Sequence, residues 1–298
     1  MKHVVSVSLG SPERDKSVVV DLNGMHMRLE RIGTGGDEHR ARQLFAKLDG
    51  HVDVLTVGGI DLYVHLDERD YPIRAGLKLV QDVQHTPVVD GRGLKYVLER
   101  RVFELAAPIL GELPRFRRAF IPFGTDRVGL IEALESVADE VYIGDLMFVL
   151  GVPLALRGLE GYKRVARWIL PLAGFFPISM LSPPGAKVLE HKPKYEEQWR
   201  TADLIAGDMH YIYKYAPTDL EGKFVVTNTT TEANIDALRV RGVNKIITTT
   251  PRYEGRSFGV NVMEGALTAY AGLDRPPTSH ELGVLIDELD LKPEVIHL

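Results

Sequence analysis

From Ala119 to Thr249 the sequence repeats one pattern five times: a short apolar run followed by a turn of small or polar residues, with stretches of helical character fitting between them. Apolar runs without alternation suit strands buried on both faces, and helices between them return the chain to the same sheet edge. The repeat confines the chain to an α/β class, with a mostly parallel, Rossmann-like sheet in this part. The expected strands are Ala119–Phe123, Glu140–Gly144, Leu204–Gly207, Phe224–Thr227 and Lys245–Thr249. Helices fit at Arg127–Ala138, Met209–Tyr215, Thr231–Arg241 and Ser257–Ala271. Val128, Ile131, Leu134 and Val137 share one stripe of the first helix. Thr229 and Glu232 have the spacing of a capping box before the third, and Gly242 sits at its C-cap.

The first third predicts a separate N-terminal α/β domain containing a β-hairpin. His3–Leu9 has the apolar run of a buried strand. Ser17–Leu22 and Met25–Ile32 alternate on either side of Asn23-Gly24, a pair that supplies the positive φ angles of a type I′ turn. Asp37 can cap a helix with Ala41, Leu44, Phe45 and Leu48 on one face, ended by Gly50. Val52–Val57 reads as a buried strand, Leu62–Ile73 as a second hairpin, Thr86–Val89 as a short strand and Gly93–Leu105 as a helix. A change near Pro108–Pro114 divides the chain into an N-terminal domain, 1–110, and a Rossmann-like domain, 111–273. A tail, 274–298, holds a short helix around Glu281–Glu288.

Composition narrows the partners. Acidic residues outnumber basic ones 41 to 36 in 298 residues, a net charge of −5, so no basic surplus points to nucleic acid. The absence of cysteine excludes disulfides, thiolate metal sites and Cys nucleophiles. The apolar run at Met1–Gly10 is too short for a signal peptide. The longest apolar stretch, Trp168–Leu181, is fourteen residues interrupted by Pro171 and Pro177, against the ~18 of a membrane span. A cytoplasmic protein with no transmembrane segment is expected.

Ligands of parallel α/β sheets sit beyond the carboxyl ends of the strands. Five such tips carry small or polar residues here: Gly124-Thr125-Asp126-Arg127, Gly144-Asp145, Gly207-Asp208-Met209-His210, Thr227-Asn228-Thr229-Thr230-Thr231 and Thr248-Thr249-Thr250-Pro251. Singly, each is an ordinary strand end or helix cap. Together they point to a crevice for a small-molecule or phosphorylated ligand, since helix N-termini favour anions. A dinucleotide site asks for Gly-x-Gly-x-x-Gly between strand and helix. Gly124-Thr125-Asp126-Arg127-Val128-Gly129 keeps two glycines, five apart, with an Asp at the middle position. Asp145, about 20 residues further on, stands where the ribose-binding acid of an NAD enzyme belongs.

Other constellations read two ways. Gly33-Thr34-Gly35-Gly36-Asp37 opens a helix but follows a hairpin strand. Arg256 and Ser257, with Arg252 nearby, form either an anion clamp or a capped helix with a solvated arginine. Asp208 and His210 are either a carboxylate–imidazole pair or a helix cap with His in the first turn; a metal would need a third ligand that no spacing supplies, so none is expected. His191-Lys192-Pro193-Lys194 reads as a solvated basic loop. Lys95, just after Asp90, is either a surface lysine or a proton-transfer group at a substrate hydroxyl. The segment Leu159–Leu181 mixes Lys163, Arg164 and Arg167 with Tyr162, Trp168, Phe175 and Phe176. Packing, between domains or in a homo-oligomer, is favoured there over membrane contact.

Several strings together resemble a bacterial family labelled quinate 5-dehydrogenase. They are Gly144-Asp145-Leu146-Met147-Phe148, Ala206-Gly207-Asp208-Met209-His210-Tyr211, Val226-Thr227-Asn228-Thr229, Thr248-Thr249-Thr250-Pro251 and Gly255-Arg256-Ser257-Phe258-Gly259-Val260-Asn261. The resemblance implies a substrate domain followed by a Rossmann domain, as in shikimate dehydrogenases, and NAD(P)-dependent oxidation of a ring alcohol such as quinate or shikimate. It implies a role for Gly124–Arg127 and Asp145 in holding NAD or NADP, with Asp208, Thr227, Asn228, Thr229, Thr249, Arg256 and Ser257 as further polar contacts. Those enzymes carry a Gly-x-Gly-Gly-Ala loop, replaced here by Gly124-Thr125-Asp126-Arg127, and a Lys–Asp dyad whose motif contexts are not found. Lys95 with Asp90 or Asp126 is the nearest counterpart. The alternative expectation is a non-redox Rossmann-like protein that binds a phosphorylated metabolite or nucleotide; a third is an interaction protein docking through 159–181.

Overall fold

The computed structural model describes residues 1–67, 69–173, 191–228, 230–250 and 259–298. The chain divides into two compact units. The first comprises Met1–Leu94 with the described residues of Leu170–Pro184 and Phe258–Leu291; the second comprises Lys95–Ile169, those of Gly185–Ser257, and Lys292–Leu298.

Along the first stretch run β1 (Lys2–Ser8), β2 (Lys16–Leu22), β3 (Met25–Gly33), α1 (Glu38–Leu48), β4 (Val54–Gly58), β5 (Tyr63–Leu66), β6 (Arg69–Pro72), α2 (Arg74–Val80) and β7 (Val88–Val89). Five strands form a sheet in the order β2-β3-β1-β4-β7. β3, β1, β4 and β7 are mutually parallel, while β2 turns back on β3 as the expected hairpin. Its turn residues Asn23 and Gly24 have φ of 48° and 85°, the pair of positive angles that the dipeptide promised. Asp37 caps α1 by accepting from the Arg40 N–H, also as expected. β5 and β6 make the second hairpin.

α3 (Arg92–Arg100) and α4 (Val102–Leu110) replace the single helix expected at Gly93–Leu105. Arg101 takes φ −97° and ψ 7°, the bridge region in which a helical turn ends, and its guanidinium folds over Glu104. α4 then runs through Pro108.

Next come β8 (Phe116–Ile121), α5 (Val128–Val137), β9 (Ala138–Ile143), α6 (Asp145–Val149), β10 (Leu156–Arg157), α7 (Gly158–Ala173), α8 (Glu196–Thr201), β11 (Leu204–Ala206), α9 (Met209–Tyr215), β12 (Phe224–Thr227), α10 (Glu232–Val240) and β13 (Lys245–Thr248). α11 (Val260–Tyr270), α12 (Ser279–Glu288) and β14 (Glu294–His297) complete the chain. The second sheet has the order β10-β9-β8-β11-β12-β13-β14. Its five inner strands are parallel and its two edges antiparallel. This is the mostly parallel, Rossmann-like sheet that the fivefold pattern predicts. β8 stops at Ile121 because Pro122 has no N–H to give the ladder. The capping box of α10 is built from Thr231 and Asn234, not from Thr229 and Glu232: the Thr231 hydroxyl accepts from the Asn234 N–H, and the Asn234 amide oxygen accepts from the Thr231 N–H.

The second unit's core gathers Phe120, Trp199, Ile205, Ile212, Val225, Leu238 and Ile246, with Trp199 wholly buried and its indole N–H donating to the Lys194 carbonyl. In the first unit α11 lies directly on β1 and β4. A Cβ on Gly265 would come 2.5 Å from Thr56 Cγ2 and 2.7 Å from Val4 Cγ1, so only glycine permits that approach.

Candidate functional site

The strand order of the second sheet reverses at β8: β9 and β10 lie to one side, β11 to β14 to the other. Open α/β sheets bind ligands at the carboxyl ends flanking such a reversal, here the tips of β8 and β11.

The β8 tip is tied to β9. A Cβ on Gly124 would come 2.8 Å from Ile131 Cδ1, 3.0 Å from Ile143 Cγ2 and 3.2 Å from Asp145 Oδ2, so the turn needs glycine. Asp145, the first residue of α6, turns its carboxylate into this loop. Its Oδ2 accepts from the Gly124 N–H at 2.8 Å, and its Oδ1 accepts from the Thr125 hydroxyl. Burial pushes Asp145 up to about 6, against the pull of these hydrogen bonds. The Tyr162 hydroxyl donates to the Thr125 carbonyl at 3.3 Å.

The next two residues carry charge. Lys95 Nζ donates to Asp126 Oδ2 at 2.7 Å, while Asp126 Oδ1 is buried with no hydrogen-bond partner among the described residues. Burial alone would raise Asp126, but Lys95 and Arg127 outweigh it and hold the carboxyl below its ordinary value. Arg127, 5% exposed, lies between two acids: its Nη1 donates to Glu99 Oε1, and its Nη2 to Asp208 Oδ2 at 3.3 Å. Burial pushes Glu99 up to about 7, opposed by Arg127 and Lys95. Arg127 itself moves upward; burial works against this, and Glu99, Asp126 and Asp208 overcome it.

Asp208 caps α9 through the His210 N–H at 2.8 Å, faces His210 Nδ1 at 2.9 Å, and accepts from Asn228 Nδ2 at 2.8 Å. Burial would raise its carboxyl, yet His210 and Arg127 hold it far below the ordinary range. Phe123 and Tyr211, one from each tip, stack with centroids 5.3 Å apart and planes 3° from parallel.

The structure thus gathers Gly124, Thr125, Asp126, Arg127, Asp145, Asp208 and Asn228 with Lys95. Thr227 and Thr249 are buried, joined by the Thr249 N–H donating to the Thr227 carbonyl at 2.7 Å. Asp90 belongs to the first unit, where it accepts from the Leu62 N–H at 2.8 Å and the Arg92 N–H at 3.1 Å. Thr229, Arg256, Ser257 and the neighbouring Arg252 lie outside the described residues. In 159–181, Tyr162, Ala166 and Leu170 are buried and Trp168 is 82% exposed, while residues 174–181 lie outside the described part. Among the described residues no helix is long and apolar enough to cross a membrane. Sequence reasoning missed Glu99, although its i+4 spacing from Lys95 puts both on one helix face.

The residues at this reversal do not fit a nicotinamide dinucleotide bound by the usual loop. Of the three glycines in that motif, the first makes the turn, the second lets backbone meet pyrophosphate and the third permits close packing. Gly124 and Gly129 keep the first and third roles; a Cβ on Gly129 would lie 2.5 Å from the Tyr96 carbonyl oxygen. The middle position is Asp126, a carboxylate paired with Lys95. The Gly124 N–H and the Thr125 hydroxyl already serve Asp145. Four carboxyl groups, Glu99, Asp126, Asp145 and Asp208, surround the two cations Lys95 and Arg127.

Fold and site together define a two-unit α/β protein with a Rossmann-like second unit and a polar cluster at its strand-order reversal. Residues 93–298 match the family described as Domain of unknown function (DUF8754), and the chain belongs to it. Residues 3–90 match a second, Domain of unknown function (DUF8753). No curated protein matches the sequence significantly. Among solved structures, the chain is similar to the malic enzyme of Entamoeba histolytica (11% identity, TM-score 0.44, covering 95% of this chain and 61% of that one). It is also similar to the NAD-dependent malic enzyme of Thermotoga maritima (12%, 0.42, 95% and 75%) and to the hetero-hexameric glutamate dehydrogenase of Thermus thermophilus (12%, 0.37, 97% and 80%). The chain thus spans 61% of the length of the Entamoeba enzyme.

Proposed function

We propose that the second unit is a non-redox, Rossmann-like binding domain that takes a small, hydroxyl-bearing molecule at the tips of β8 and β11. One observation carries this reading: Asp126, fixed through Oδ2 by Lys95, keeps a buried Oδ1 that lacks a donor among the described residues. Buried carboxylate oxygens need hydrogen-bond donors, and a ligand hydroxyl is one. Because Asp126 is held ionised, it acts as an acceptor toward a ligand hydroxyl. The surrounding carboxylates disfavour a phosphate at this spot, so the ligand presents hydroxyls there.

Calorimetric titration with neutral polyols and with quinate and shikimate tests the reading. Binding by the wild type that weakens ~10- to 100-fold in Asp126→Asn is the expected result. Equal affinity in both proteins would remove Asp126 from the site.

A second reading is an NAD(P)-dependent oxidoreductase acting on a ring alcohol such as quinate or shikimate, in which Lys95 and Asp126 would hold the reacting hydroxyl. The strand order and the place of Asp145 after β9 favour it. Reduction of NAD or NADP by the wild type with quinate, lost in Lys95→Met, would establish it over the first.

A further inference from the structure

The glycine cluster at residues 33–36 belongs to a different place, the carboxyl edge of the first unit's sheet. Ser8, Gly33 and Gly58 sit in register at the ends of β1, β3 and β4. The loop after β1 folds back over β3: a Cβ on Gly33 would lie 2.6 Å from the Ser11 carbonyl oxygen and 2.8 Å from that of Gly10. Two arginines converge on this loop. A Cβ built on Gly10 would lie 2.7 Å from Arg14 Nη2 and 2.8 Å from Arg31 Nη2, so two guanidinium groups approach the same point above a residue with no side chain.

Their partners are unequal. Arg31 donates to the Ser8 hydroxyl at 3.0 Å, the Ser11 carbonyl at 3.1 Å and Asp15 Oδ1 at 2.8 Å. Asp15 Oδ1 is shared with the Gly33 N–H at 2.6 Å. Arg14 is exposed and has no acceptor among the described residues. The Ser8 hydroxyl accepts from the Gly10 N–H at 3.1 Å as well as from Arg31, so its own proton remains available to donate. Burial, and then the neighbouring Arg14 charge, lower Arg31 from its ordinary value, opposed by Asp15. Like charges held this close, with a carboxylate on Arg31 alone, are arranged as guanidinium pairs are around an oxyanion.

We propose that Arg14, Arg31 and the Ser8 hydroxyl form a binding site for an oxyanionic group, a phosphate or a carboxylate, seated over Gly10. This site is separate from the Asp126 cluster and does not depend on the reading given to it. The anion takes the guanidinium of Arg14, an N–H of Arg31 not already given to Ser8, Ser11 or Asp15, and the hydroxyl proton of Ser8, while Asp15 keeps Arg31 in place.

Inorganic phosphate and acetate, titrated calorimetrically into the full chain at fixed ionic strength against chloride, test it and separate the two sources. Two variants probe the geometry. Arg14→Gln removes an exposed cation with no internal partner, and Gly10→Ala keeps every charge but fills the point of convergence. Arg28→Gln, at an exposed arginine paired with Glu30 and Ser17, is the control for general charge. The site predicts that phosphate or acetate binds at millimolar concentration or below, and that both Arg14→Gln and Gly10→Ala weaken it about tenfold or more while Arg28→Gln does not. Tighter phosphate binding assigns a phosphate-bearing ligand, and tighter acetate binding a carboxylate. Absence of saturable binding, equal affinity in Arg14→Gln, or an equal loss in Arg28→Gln would each overturn the proposal.

Discussion

Glu264 shows how much one buried residue can tie stability to pH. It is 3% exposed on α11 and accepts from the Leu94 N–H at 2.6 Å. Burial pushes its carboxyl from 4.5 up to about 7, against the pull of that hydrogen bond. A raised acid binds its proton more tightly in the folded chain than in the unfolded one. Its contribution is therefore most favourable below about 4.5 and is lost as pH rises through about 7. Glu264→Gln should gain on the wild type over that window by an amount on the order of 3 kcal/mol, read from urea midpoints at pH 4.5 and 8. A difference that does not change with pH would contradict the assignment. Nothing in the sequence marked Glu264, because the groups that cover its carboxylate, Gly93 and Leu94, lie some 170 residues away along the chain. Lys95 and Asp126 were each legible as residues. Their pairing was left open between Asp90 and Asp126, since only the three-dimensional path of the chain selects a partner.

Local rules act at the scale of elements. The Asn23-Gly24 hairpin, the Asp37 cap and the five inner strands of the second sheet were legible because each rests on neighbours in sequence. The capping box of α10 lies two residues later than its composition suggests, since Thr229 has a Glu three residues on, whereas the box is closed by Thr231 with the Asn234 amide in the place of a Glu. Thr231→Ala removes that cap and should cost about 1 kcal/mol, measured by thermal or urea unfolding; a cost near zero would mean the hydroxyl contributes nothing there. α2, β10 and β14 escaped notice. β10 has two residues and β14 two apolar ones, too few for a period to show. Trp199 anchors the packing of α8 against Phe120, with ring centroids 5.0 Å apart. Trp199→Ala should destabilise the second unit by roughly 3–5 kcal/mol, seen as a lower unfolding midpoint, and a smaller loss would mean the site collapses around the cavity.

The whole molecule joins a familiar strand order to an unfamiliar tip. The order of the inner strands around β8 was within reach of the sequence, because parallel strands joined by helices admit few arrangements. What the tip does was not, because Gly124-Thr125-Asp126-Arg127 resembles a phosphate loop until Asp145 and Lys95 are seen filling it. In the proposed reading this reversal serves a hydroxyl-bearing ligand and offers no cradle to a dinucleotide. Calorimetric titration of NAD and NADP into the wild-type chain tests this. No saturable heat up to millimolar concentration is expected. A micromolar Kd for either cofactor, abolished by Asp145→Ala, would contradict it and return the site to dehydrogenase chemistry.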